Sequence, residues 1–246
     1  MTDRHATRAI ERLRGPVRRC AGGGCPRRQQ YGDRPMTRIL LVRHGESEWN
    51  AAGRWQGQAD PSLTERGRQQ AAHAAGAIGT IDAIVASDLE RALVTAQIIA
   101  GELGLDPVYV DEDLRERDAG EWSGLTRAEI HAQWPGFLAD DSAATVGRVS
   151  RAGDRRPPGW ESDDHLWERV HRALLGIAAM TSDGDVLAVT HGGVVYVTEE
   201  HLGDPGGRLA NLGGRWVEVD GERITLGDRV VLIAPQETVA IERDRI

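Results

Sequence analysis

Four residues in this chain have the types and settings needed to hold and transfer a phosphoryl group: Arg43, His44, Arg91 and His191. The stretch "ILLVRHGESEWN" carries an aliphatic run straight into Arg43, His44 and Gly45. A second run, "VLAVT", ends on His191, Gly192 and Gly193. If both runs are neighbouring strands, two histidines and an arginine meet at one sheet edge. Guanidinium forks suit the equatorial oxygens of phosphate, and a neutral imidazole nitrogen is a competent nucleophile toward phosphorus. Gly45 lets the backbone pass close to an anion. An ester leaving group also needs a proton donor. The segment "DEDLRERDAGEW" offers Asp113, Glu116, Asp118 and Glu121. Glu116, on a loop after a strand, is a sensible candidate, but position alone does not choose among them.

The elements that must position these groups read as an α/β pattern. Thr37 to Val42, Ile81 to Ala86, Pro107 to Val110 and Asp185 to Thr190 are short apolar runs suited to buried strands. Between them, Thr64 opens one helix, which Gly67 and Gly76 weaken. Asp88 to Leu103 and Ser162 to Met180 carry helical stripes, and Thr126 with Glu129 fits a capping box. "RWVEVD", "ERITLG" and "RVVLIAP" suggest three further short strands. Alternating helices and aliphatic strands imply a largely parallel sheet covered on both faces. Ligands in such folds bind beyond the carboxyl ends of strands.

Composition sets outer bounds. The chain has 246 residues, 40% hydrophobic and 28% charged, as in a globular protein with one generous core. A net charge of −8 argues against nucleic acid as the main partner. All 30 basic residues are arginine, so any cationic phosphate ligand other than histidine is a guanidinium. Residues 1–35 form an arginine-rich arm with few apolar anchors, expected to be disordered, and Met36 offers an alternative start. Its cysteines, Cys20 and Cys25, have the wrong spacing for a zinc knuckle. No run approaches membrane-spanning length, and no secretory segment is present. A cytoplasmic location is expected. An irregular cap insertion is expected at about residues 135–160, within a domain spanning 36–246.

Taken in order, "LVRHGESEWN", "RWQGQADPSLTERG", "VASDLERALVTA", "LRERDAGEWSGLT" and "VLAVTHGG" resemble the histidine phosphatase superfamily, which includes the phosphoglycerate mutases. The resemblance implies a phosphoglycerate mutase-like α/β/α sandwich of three layers with a mostly parallel central sheet. It implies that His44 becomes a phosphohistidine, that Arg43, Arg91 and His191 line the phosphate pocket, and that Glu116 moves the proton. Asn50 and the backbone near Gln56 and Gly57 would close around the substrate. No metal and no cofactor is implied.

Within that family, water or a second substrate hydroxyl can take the phosphoryl group. Glycolytic mutases carry "FTGW" and "LNERHYG" where this chain has "RWQGQAD" and "LRERDAGEWSG". "PPGWESDD" is similar to the "PGGES" segment of the phosphatase branch, although Trp160 replaces a glycine. Arg155 and Arg156 resemble the paired mutase arginines only in type. Phosphatase is therefore the expected activity, on a small phosphorylated metabolite. The alternative is a mutase primed by 2,3-bisphosphoglycerate, and a non-catalytic phosphate-binding protein is the contrasting class. Neither nucleic acid nor membrane is expected as a partner, and a homodimer is compatible with the sequence. After His191, "HGGVVYVTEEHLGDPGGRLANLGGRW" is short and glycine-rich, a departure from relatives with a longer helical passage.

Overall fold

Strand β1, Thr37–Arg43, runs through the middle of a six-stranded sheet. Its side chains alternate between two buried faces. Ile39 and Leu41 enter one core, and Leu40 and Val42 the other. That double burial is why the run is continuously apolar instead of alternating. The computed structural model describes residues 36–138, 155–181 and 183–234. The arm expected over 1–35, both cysteines, and residues 139–154 of the expected cap insertion lie outside these.

The remaining strands are β2 (Ala83–Ala86), β3 (Val108–Val110), β4 (Gly184–Thr190), β5 (Gly213–Asp220) and β6 (Arg223–Val231), in sheet order β3-β2-β4-β1-β5-β6. The first four in that order are mutually parallel. β5 and β6 are added antiparallel. The sheet is thus mixed and mostly parallel, as the alternating pattern predicts. "ERITLG" and "RVV" are not two short strands but one. Gly227 does not break β6; it makes room for Trp216, whose Cβ would lie 2.9 Å from any side chain there.

The described residues hold six α-helices: α1 (Glu48–Ala51), α2 (Glu65–Ala75), α3 (Glu90–Leu103), α4 (Arg127–Gln133), α5 (Asp163–Thr181) and α6 (Gly192–His201). Alanine-rich stripes of α2 and α3 cover one sheet face. Leu166, Val170 and Leu174 of α5, with Val194 and Val197 of α6, cover the other. This gives the three layers. Thr64 caps α2 through Gly67 N, and Thr126 and Glu129 form the expected capping box on α4. Gly67 is there for space: a Cβ would collide with the Glu46 carbonyl. Helix α6 was not among the expected elements: its two leading glycines and run of β-branched residues disfavour a helix locally.

A third, smaller core holds Trp122, Ile130 and Leu138, with Trp55, Trp134, Phe137 and Trp160 against it. Trp55, Trp122 and Trp160 pack ring to ring at centroid distances of 5.4–5.9 Å. Arg156 lies over Trp160 at 4.9 Å and Arg155 over Phe137 at 5.8 Å.

Candidate active site

Register brings the two sequence motifs together. Arg43, the last residue of β1, pairs with Thr190, the last of β4, and His44 N donates to Thr190 O at 2.9 Å. The next residue of each strand is a histidine. The rings of His44 and His191 therefore meet edge to face, 5.2 Å apart, at the carboxyl ends of the parallel strands. Both are buried, at 2% and 0% exposure.

The hydrogen bonds set the state of each ring. His44 Nδ1 lies 2.6 Å from the Gly45 carbonyl. A carbonyl only accepts, so Nδ1 carries the proton and Nε2 keeps its lone pair. Arg91 Nε donates to that nitrogen at 3.3 Å. Burial pushes the His44 proton affinity well below the ordinary range, and the charges of Arg91 and Arg43 lower it further. His191 is lowered in the same way, first by burial and then by Arg91. His191 Nε2 is 3.0 Å from Ser87 Oγ, and its buried Nδ1 has no hydrogen-bond partner among the described residues.

Arg91 stands in the first turn of α3 and is fully buried. Its terminal nitrogens donate to Ala59 O at 2.6 Å and Gly57 O at 2.9 Å. Burial brings its pKa down to about 10, against the pull of Glu116 and Asp60, and it stays charged at neutral pH. Arg43 donates through one terminal nitrogen to Leu209 O at 2.8 Å.

Glu116 reaches the same edge from the loop after β3. Its carboxylate accepts from Gly193 N, at 3.1 and 3.2 Å to the two oxygens, and from Arg117 N at 2.8 Å. Gly193 lies in the first turn of α6, so the carboxylate sits at the positive end of that helix. Asp113, Asp118 and Glu121 take other places. Asp113 pairs with Arg172, Asp118 caps Gly120 N, and Glu121 is exposed.

Of the residues expected to close over substrate, Asn50 is buried and its side-chain oxygen accepts from Ser47 N and from Asn211 Nδ2, each at 3.3 Å. Gln56 accepts from Ser47 Oγ at 2.8 Å, and the Gly57 carbonyl is held by Arg91. Four residues not singled out from the sequence also shape the site. Asn211 donates to His44 O at 2.8 Å. Ser87 fixes His191. Glu161 and Arg169, both buried, brace the turn before Glu116. A polar Asn between Leu209 and Leu212, just before a strand, was the available signal for Asn211.

Among the described residues no group of three or more His, Cys, Asp or Glu is arranged to hold a metal, and no helix is long and apolar enough to cross a membrane. The chain is 36% identical over 209 residues to the glucosyl-3-phosphoglycerate phosphatase of Mycolicibacterium vanbaalenii, covering 78% of this chain and 88% of that one. It is 39% identical over 164 residues to a metal-independent phosphoserine phosphatase of Arabidopsis thaliana, covering 65% and 66%. The solved structure of a mycobacterial glucosyl-3-phosphoglycerate phosphatase superposes with a TM-score of 0.63 at 30% identity, covering 80% of this chain and 98% of that one. The profile of the histidine phosphatase superfamily, branch 1, matches residues 39–213, which take in the strand-end histidines, Arg91 and the acid-bearing loop. The chain belongs to the histidine phosphatase superfamily and is a phosphatase-type hydrolase of that group.

Proposed function

We propose that the protein hydrolyses a small phosphomonoester through a phosphohistidine on His44. The observation that carries this reading is the neutral Nε2 of His44, its lone pair exposed to Arg91 and its opposite nitrogen locked on Gly45 O. A nucleophile held neutral by burial, beside permanent cations that receive the phosphate, is what in-line phosphoryl transfer needs.

In the first step Nε2 bonds to phosphorus and the ester P–O bond breaks. Arg43, Arg91 and the Nδ1–H of His191 stabilise charge on the equatorial oxygens. That proton on His191 requires Ser87 Oγ to donate to Nε2, in keeping with their 3.0 Å contact. Glu116 protonates the departing oxygen. In the second step the Glu116 carboxylate takes a proton from water, water oxygen bonds to phosphorus, and the Nε2–P bond breaks. The histidine returns to its starting state and inorganic phosphate leaves. Asn50, Gln56 and the backbone at Gly57 close around the bound phosphomonoester.

For substrate, we favour a phosphomonoester that also carries a carboxylate. The compounds named for both relatives, glucosyl-3-phosphoglycerate and phosphoserine, have one near the ester. Arg208, exposed and close enough to Arg43 to disfavour its charge, adds cationic character at that edge.

Phosphorus NMR tests the reading. Protein is mixed with phosphoserine or with 3-phosphoglycerate, the latter primed by a trace of 2,3-bisphosphoglycerate. Inorganic phosphate should grow, and an acid-labile phosphoenzyme should be trapped on rapid quenching, both lost in His44→Ala. Growth of 2-phosphoglycerate in place of phosphate would make the protein a mutase. Phosphate release that survives His44→Ala would refute the mechanism.

A further inference from the structure

Glu199 on α6 is a buried carboxylate, 0% exposed, that the proposed chemistry does not use. Two nitrogens of Arg229, on β6, donate to it at 2.6 Å each. Arg215, on β5 and itself buried, lies 3.8 Å away and pairs with Asp204. Burying such charges costs stability unless every one is compensated, and an apolar core of similar volume would often do as well. The cluster therefore calls for a purpose other than packing.

Its contacts point to one. Beyond its two bonds to Glu199, Arg229 donates through its third nitrogen to Gly207 O at 2.6 Å. Glu199 also accepts from Gly206 N at 3.3 Å, and its backbone carbonyl accepts from Asp204 N at 3.0 Å. Gly206 has to be glycine, because a Cβ would collide with the Arg229 guanidinium. The cluster thus grips residues 204–207 from three sides. The same segment then turns to the phosphate edge. Leu209 offers its carbonyl to Arg43, Asn211 holds His44 O and Asn50, and Leu212 N donates to Arg43 O at 3.0 Å. Leu212 adopts a left-handed φ of 55°, the one non-glycine residue to do so among the described residues. Strain of that kind persists only where the surroundings over-determine the backbone.

We infer that Glu199, with Arg229 and Arg215, is a positioning group for phosphate binding: the ion cluster fixes the 204–212 segment, and that segment fixes Arg43, His44 and Asn50. The inference rests on the proposed phosphate pocket. It concerns the glycine-rich passage that follows His191.

The test uses the full chain and inorganic phosphate as probe. Binding is followed by calorimetry, and as a competitive inhibitor of ester hydrolysis. Glu199→Gln keeps the size and removes the charge. It should weaken phosphate binding and raise KM about tenfold or more, because small misplacements of binding groups are costly. Asp185→Asn serves as control, removing the Arg38–Asp185 pair at the opposite end of β1. It should leave phosphate binding within twofold whatever its effect on Tm. Arg229→Lys is the second variant, used if Glu199→Gln does not fold. It keeps the charge but cannot hold Glu199 and Gly207 together, and it should shift phosphate binding in the same direction. Folded variants that bind phosphate as the wild type does, with only Tm lowered, would overturn the positioning role. Wild-type protein that binds no phosphate would overturn the reading of the pocket itself.

Discussion

Nε of Arg91 lies 3.3 Å from Nε2 of His44 while the two terminal nitrogens of the same guanidinium are held by the carbonyls of Ala59 and Gly57. The cation is fixed before any substrate arrives, and it is aimed at the one imidazole nitrogen with a lone pair. A lysine would keep the charge without the planar fork that makes three directed bonds. Arg91→Lys should therefore lower kcat/KM by about 10²–10³-fold, the loss typical of removing a pre-set donor from a charge-developing site. Steady-state kinetics on a folded variant would check it. A loss under threefold would mean that Arg91 acts only as a point charge.

The two buried imidazoles make stability depend on pH. In the unfolded chain each would take up a proton near pH 6.5. In the folded chain burial and the neighbouring guanidiniums hold both well below that value. Below about pH 6.5 the unfolded state thus binds more protons than the folded state. Their contribution is fully present above that pH and is lost as pH falls, by up to about 1.4 kcal/mol per pH unit for each histidine. Urea unfolding between pH 7.5 and 5.5 should show this slope. A His44→Gln, His191→Gln double variant should flatten it, and an equal slope in that variant would assign the effect to other groups.

Behind Glu116, Arg169 closes a buried bracket. It donates to both oxygens of Glu161 at 2.8 Å and to the carbonyls of Asp113, Arg115 and Glu116 at 2.8, 2.6 and 3.0 Å. Arg169→Ala leaves Glu161 buried without its main countercharge and should cost about 3–5 kcal/mol, read by urea unfolding. Because the bracket fixes the turn that carries the proposed acid, the folded variant should also lose more activity on alkyl phosphates than on p-nitrophenyl phosphate. The latter's leaving group needs little protonation. An equal loss on both would confine Arg169 to stability.

The strand-end histidines were legible because two local facts coincide in the sequence: an aliphatic run long enough to be a buried strand, and a chemically loaded residue directly after it. Parallel pairing then dictates that neighbouring strand ends meet. Helix α6 was not legible, because Gly192 and Gly193 argue locally against a helix. What the local pattern lacks is the reason for Gly193, which is the Glu116 carboxylate arriving from a segment 77 residues away. Asn211, Ser87 and the Glu161–Arg169 bracket escaped for the same reason. Each acts through long-range hydrogen bonds that no spacing encodes. Trp55, Trp122 and Trp160 bury one another in the third core, which is ordinary packing for such side chains.

Gly193 gives the sharpest separation between holding the proposed acid and holding the phosphate. Its amide donates to both oxygens of Glu116, and a Cβ at this position would run into the nearer one. Gly193→Ala should therefore displace the carboxylate while leaving His44, Arg43 and Arg91 in place. The first prediction is a loss of about 10²-fold in kcat on alkyl phosphates, within the range that a general acid supplies. The second is a much smaller loss on p-nitrophenyl phosphate. The third is inorganic phosphate binding close to that of the wild type, since the arginines are untouched. Glu116→Gln should reproduce the leaving-group dependence without the steric clash. If Gly193→Ala lost activity equally on both esters and lost phosphate binding as well, the glycine would be serving the fold of α6 and His191 and not the acid. If Glu116→Gln showed no leaving-group dependence, the proton would have to come from another group, and the assignment of Glu116 would fall.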